Sequence, residues 1–163
     1  VRLTRAFLPL LAREPAAQVV NVSSIFGIIA PPGQTAYSSA KFALRGFSES
    51  LRHELERDGS PVRVTVVHPG GVRTAIASSA KVPPGVSEEE LALHEKAWKA
   101  VLEMAPDEAA RTIGDGIARR APRVLGGKDA KQAAFLQRLA PVTYWKYIGA
   151  KLARDIEKSG RST

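Results

Sequence analysis

Two short valine-rich runs, QVVNVS at residues 18–23 and VRVTVV at residues 62–67, bracket a long stretch of helical character, and no other feature constrains the fold as much. Both runs carry the β-branched residues that suit buried strands. A crossover of this length with a helix inside it joins parallel neighbours, and such connections are right-handed. The expected class is therefore α/β, a doubly wound parallel sheet with flanking helices. Parallel strands share a carboxyl edge, so Ser23 and Ser24 after the first run lie on the same edge as HPGG, residues 68–71, after the second. In open α/β sheets that edge is where ligands bind.

The remaining chain fits around this unit. Leu3, Phe7, Leu10 and Leu11 share one face of a helix over residues 2–13, in which Pro9 removes one backbone bond. The loop IFGIIAPPGQ leads to the long helix, with Thr35 as its expected N-cap and Asp58, Gly59 and Pro61 as its stop. A long connection over residues 75–106 contains a charged helical stretch whose Ser87 and Glu90 fit a capping box. A helix from Pro106 to Arg120, a weak strand over 123–127 and helices over 128–139 and 141–158 complete the chain.

A length of 163 residues suits one domain. With no cysteine there is neither a disulfide framework nor a thiolate metal site, which points to a cytoplasmic protein. His53, His68 and His94 are too scattered for a histidine-only site, so no metal is expected. The opening VRLTRAFLPLLA is short, carries Pro9 and meets Arg13 and Glu14, which favours a helix over a leader. No later run approaches the ~20 apolar residues of a membrane span. The formal charge of +8 is spread out, densest near the C-terminus and without basic–aromatic interleaving, so no nucleic-acid partner is expected.

The candidate chemistry starts at AYSSAK, residues 36–41. Tyr37 and Lys41 stand four apart and share a helix face. A free phenol ionises near pH 10, so acid–base work near neutrality requires about 3 units of lowering, roughly 4 kcal/mol. A cation at about 4 Å supplies roughly that much at an effective dielectric of about 20, and a first-turn helix dipole adds about 0.3 to 1 kcal/mol. The balance is marginal without a further positive charge. Taken alone, the pair reads as an ordinary surface tyrosine and a solvated lysine.

Three linked motifs change that reading. NVSSIFG at residues 21–27, AYSSAK at 36–41 and HPGGVRT at 68–74, in this order and spacing, resemble the short-chain dehydrogenase/reductase family over about residues 1–126. The resemblance implies a partial Rossmann-like sheet with a helical C-terminal tail over 127–163, and a variable substrate lid over about 75–106. It places the catalytic serine at Ser24, the proton-transferring phenol at Tyr37 and the cofactor-ribose and activating cation at Lys41. It also implies that Pro69, Gly70, Val72 and Thr74 meet the nicotinamide end of NAD or NADP, with NADP slightly preferred. Glycines there would permit close approach of a planar ring. Ile25, Phe26 and Gln34 would line the substrate side beside Ser24 and Tyr37. The implied reaction is hydride exchange between a nicotinamide cofactor and a ketone, aldehyde or alcohol.

Val82, Leu91, Leu93 and Trp98 in the lid imply a fairly apolar substrate. In the family, helices corresponding to residues 2–13 and 36–57 pair across a twofold axis, which implies a homodimer or homotetramer; the alternative is that these faces are core. Trp98, Trp145 and Tyr147 read first as packing residues, and YWKY at 144–147 reads second as an amphipathic surface for lipid or a partner. The family's glycine-rich turn and its Asn-Ala-Gly segment are not in these 163 residues, so the chain reads as the catalytic half, inactive alone. The competing readings are a catalytically silent interaction domain that kept the fold, and a serine hydrolase using Ser24 and His68. The hydrolase reading lacks a GxSxG elbow.

Overall fold

A computed structural model describes residues 1–76, 79 and 85–159. Helix α1 (Arg2–Leu11) precedes strand β1 (Ala17–Val22), a single 3-10 turn (Ile25–Gly27), helix α2 (Thr35–Arg57) and strand β2 (Val62–Pro69). Then come α3 (Glu88–Val101), α4 (Pro106–Ala118), β3 (Arg123–Gly126), α5 (Lys128–Leu139) and α6 (Tyr144–Ser159). The strands form one parallel sheet in the order β1-β2-β3. Ala17 through Val22 pair with Val62 through Val67, and Val66 through Pro69 pair with Arg123 through Gly126. The chain is an α/β protein, as its strand–helix–strand spacing predicts.

Strand β2 is central and buries Val62, Val64, Val66 and Val67. Its run of valines without alternation reflects burial on both faces of the sheet. Strand β1 is an edge, and the Ser23 N–H reaches the Val67 carbonyl at 2.8 Å. Backbone direction alternates along a strand, so the backbone N–H and C=O groups of Gln18, Val20 and Val22 point to the open side. A second apolar cluster, Ile28, Ile29 and Ala133, docks the loop after β1 onto α5 and α6, with Ile25, Phe26, Leu125 and Tyr144 packed around it.

Several expectations shift. The N-cap of α2 is Gln34, without a side-chain cap bond, and Thr35 is already inside the helix. Helix α1 carries Pro9 inside it and ends at Leu11 rather than at residue 13. No residue of α1 is buried, and Leu3, Phe7 and Leu10 are exposed, so its apolar face is not core among the described residues. Residues 140–143 form a turn, and the last helix starts at Tyr144 rather than 141. Tyr147 and Trp98 are exposed rather than packed. Val82, expected in the lid, lies outside the described residues.

The Ser87 capping box is present. The Ser87 hydroxyl accepts the Glu90 N–H at 3.2 Å and the Glu90 carboxylate accepts the Ser87 N–H at 2.9 Å. Loss of the cap in Ser87→Ala should cost about 1 kcal/mol, expressed locally as faster amide exchange in the first turn of α3. Unchanged exchange there would remove the cap from the account.

Candidate active site

Ser24 follows β1 and residues 70–74 follow β2, at the carboxyl ends of two paired parallel strands. Ser24 follows β1 in extended backbone, and its Oγ accepts the Phe26 N–H at 3.1 Å, capping the 3-10 turn. That bond uses a lone pair and fixes the side chain, and the hydroxyl hydrogen makes no hydrogen bond among the described residues. Ser23 faces the other way: its Oγ donates to the Lys41 carbonyl at 2.9 Å and is buried. This bond ties the end of β1 to α2. Gly27 makes room for it, because a Cβ there would overlap Ser23 Oγ and stand 2.9 Å from the Lys41 carbonyl oxygen.

Tyr37 and Lys41 meet as their spacing predicts. Lys41 Nζ stands 5.5 Å from the centre of the Tyr37 ring. It donates to the Val22 carbonyl at 3.2 Å on the open edge of β1, which uses one of its three N–H donors. Phe26 packs edge-on against Tyr37, with centroids 6.0 Å apart and planes at 86°. Tyr37 remains 45% exposed, so this ring is held on one side and open on the other. Of the other residues expected on the substrate side, Ile25 packs on the second apolar cluster and Gln34 supplies the N-cap of α2.

The loop after β2 is held by its own chain. The Gly70 N–H donates to the Gly126 carbonyl at 2.7 Å, and the Gly71 N–H donates to Asp129 Oδ2 at 2.7 Å. The space left by the missing Cβ of Gly70 is occupied by the Asp129 carboxylate, and that of Gly71 by the Val101 carbonyl. These glycines therefore admit protein atoms. Val72 forms a parallel bridge with Met104, through bonds that use the Gly71 carbonyl and the Arg73 N–H. In a parallel bridge the central residue's own N–H and C=O face away from its partner. Those of Val72 make no hydrogen bond among the described residues. Thr74 is exposed at the end of this loop.

His68 is fully buried, and its Nδ1 stands 2.8 Å from the Ser24 carbonyl. A carbonyl only accepts, so the proton sits on Nδ1. Nε2 is buried and has no partner among the described residues. The ring thus holds the backbone of Ser24 and not its hydroxyl, so the base–nucleophile bond a serine hydrolase needs is absent. Burial, with lesser contributions from Arg123 and Arg45, lowers the His68 pKa below its usual 6.5, outweighing the Ser24 carbonyl. As pH falls below about 6.5 the unfolded chain takes up this proton before the folded one does, so stability present above that pH is lost progressively below it. In His68→Asn, which keeps a donor for Ser24, urea unfolding should depend less on pH between 7.5 and 5 than in the wild type, by about one proton's worth at most. Parallel curves would contradict this assignment.

An open cleft of about 700 Å³ lies elsewhere, between the Pro31–Pro32 loop, one face of α2 and the start of α6, lined by Thr35, Ser38, Phe42, Val142 and Trp145 among others. None of Ser24, Tyr37 and Lys41 lines it. On α2 its residues are at 35, 38, 39 and 42, roughly a third of a turn away from the Tyr37–Lys41 face. Sequence reasoning missed Ser23 as the tie to α2, His68 as the brace of Ser24, and Asp129 as the clasp on Gly71. Asp129 is 58 positions from Gly71, and nothing local signals the bond.

The sequence of residues 1–83 matches the family model described as short chain dehydrogenase, and the chain belongs to the short-chain dehydrogenase family. It is 42% identical to the SadH protein of Mycobacterium tuberculosis over 151 residues, 93% of this chain and 54% of that relative. Its backbone is similar to a short-chain dehydrogenase/reductase from Burkholderia phymatum solved with NAD, with a TM-score of 0.69 and 24% identity, over 83% of this chain and 52% of that one. A short-chain dehydrogenase from Burkholderia cenocepacia, solved with NADP, gives a TM-score of 0.66 at 24% identity over 92% of this chain and 52% of that one. The chain spans about half the length of the curated relatives it matches.

Proposed function

We propose that this chain carries the reaction centre of an NAD(P)-dependent oxidoreductase that interconverts a carbonyl compound and an alcohol, with Tyr37 transferring the proton. The observation that carries the proposal is the Tyr37–Lys41 pair held against the end of β1, the strand that Ser24 follows with a hydroxyl hydrogen free to donate.

The nicotinamide end of a dinucleotide fits the groups present. Two uncommitted Lys41 donors suit ribose hydroxyls, and the outward N–H and C=O of Val72 offer a donor and an acceptor that complement a carboxamide. Pro69 ends β2 and Gly70 and Thr74 follow it in the loop, with Gly70 acting through the fixed backbone rather than through open space. When bound, the nicotinamide supplies or accepts the hydride at the substrate carbon. The chain's own residues handle the oxygen. Ser24 donates its hydroxyl hydrogen to the substrate oxygen as negative charge develops there, and the Phe26 N–H keeps Oγ aimed. Tyr37 gives its proton to that oxygen in reduction and takes one in oxidation. Lys41 stabilises the phenolate left behind.

Residues 1–126 form the catalytic half in this reading and 127–163 its helical extension, with the segment around 75–106 covering a fairly apolar substrate. The alternative, a silent interaction domain, has no use for an oriented serine hydroxyl together with a lysine–tyrosine pair. Fluorescence titration of the chain with NADH and NADPH separates the two. Binding weakened at least about tenfold in Lys41→Ala supports the site; equal binding by both proteins removes Lys41 from it.

A further inference from the structure

Helices α5 and α6 present a surface that the proposed chemistry does not use. On α5, Ala130 and Ala133 are buried, while Phe135 and Leu139, one helical turn apart on the opposite face, are 62% and 65% exposed. Val142 in the following turn is 90% exposed, and Tyr147 on α6 is 60% exposed. Lys151 of α6 donates to Gln132 of α5 at 3.5 Å, which brings the outward faces of the two helices into one surface.

Charge distinguishes this surface from an ordinary apolar patch. Residues 128–157 contain Lys128, Lys131, Arg138, Lys146, Lys151 and Arg154 against three acids, Asp129, Asp155 and Glu157. Asp129 is turned inward onto the Gly71 N–H. The ion pairs among the described residues all lie on α2 and its C-cap, so none of these six cations is neutralised by a described carboxylate. Protruding Phe, Leu, Val and Tyr side chains set among unpaired lysines and arginines match an anionic bilayer surface, where apolar groups enter the acyl boundary and cations meet lipid phosphates. A protein partner would need a complementary acidic and apolar face; an anionic bilayer offers both over any area.

We propose that the outer face of α5 and α6 docks on anionic phospholipid membranes as a peripheral contact. It is not a span, since no described helix is long and apolar enough to cross a membrane. Two kinds of side chain act together: Phe135, Leu139 and Val142 insert, and Lys131, Lys151 and Arg154 hold the surface by charge.

The test is sedimentation of the full-length protein with vesicles of phosphatidylcholine alone or with added phosphatidylglycerol. Wild type should sediment with the anionic vesicles and not with the neutral ones, and raising the salt should release it. Phe135→Ser/Leu139→Ser and Lys131→Glu/Lys151→Glu should each lower the bound fraction at least about tenfold at limiting lipid. Phe135, Leu139 and Lys131 are exposed and Lys151 bonds Gln132, and circular dichroism of each variant checks the fold. No sedimentation with either vesicle overturns the proposal, as does equal binding to both vesicles or binding that neither variant weakens. A change in oligomeric state of Phe135→Ser/Leu139→Ser without lipid, together with no wild-type vesicle binding, also overturns it and assigns the face to a second copy.

Discussion

If Tyr37 transfers the proton as proposed, Tyr37→Phe in the full-length protein should lower kcat for carbonyl reduction by about 10²- to 10⁴-fold, the range general acid catalysis supplies, while NADH or NADPH affinity changes little. The substitution removes one hydroxyl and leaves the ring. Phe26 keeps its edge-on partner, and Lys41 keeps its bond to the Val22 carbonyl. Because the ring is half open to solvent, folding loses little, so a drop in kcat reports chemistry. Near-normal kcat in a folded variant would mean that another group moves the proton. Thermal unfolding and cofactor titration on the same sample separate that result from misfolding.

Gly27→Ala should lower stability by about 1 to 3 kcal/mol, or roughly 2 to 12 °C in Tm for a chain of this size. Gly27 does not have positive φ, so the backbone tolerates alanine. The cost is steric. The new methyl group collides with Ser23 Oγ and presses on the Lys41 carbonyl, the two atoms that join β1 to α2. The same shift moves the helix turn that carries Lys41, so cofactor binding should weaken with stability. Ser23→Ala in the Gly27→Ala background removes one of the colliding atoms and should recover part of the loss. Simple additivity of the two substitutions would show that the Ser23 contact is not the cause.

The sheet was legible because its signal is local. Valine runs at 18–23 and 62–67 mark two strands, and a 23-residue helix between them leaves a parallel pairing as the compact solution. The meeting of Tyr37 and Lys41 was legible for the same reason, since helical geometry alone brings i and i+4 together. What escaped depends on tertiary contacts. Thr35 has the chemistry of an N-cap, yet the chain enters α2 one residue earlier at Gln34. The glycines at 70 and 71 signal close approach, but what approaches is Asp129 and Val101, far along the chain. Leu3, Phe7 and Leu10 show helical amphipathicity in sequence, which reveals that a face exists and not what covers it. His68 lies at the end of the β2 ladder, and only the fold shows that its Nδ1–H is donated to the Ser24 carbonyl.

The most direct test of the reaction centre follows the hydride itself. The full-length protein is incubated with NADH or NADPH deuterated at nicotinamide C4 and with a panel of apolar ketones, and the products are read by mass spectrometry. The proposal predicts deuterium on the carbinol carbon of an alcohol product, lost together with activity in Tyr37→Phe. Deuterium transfer undiminished by Tyr37→Phe, or no transfer by a folded protein with cofactor bound, would contradict it.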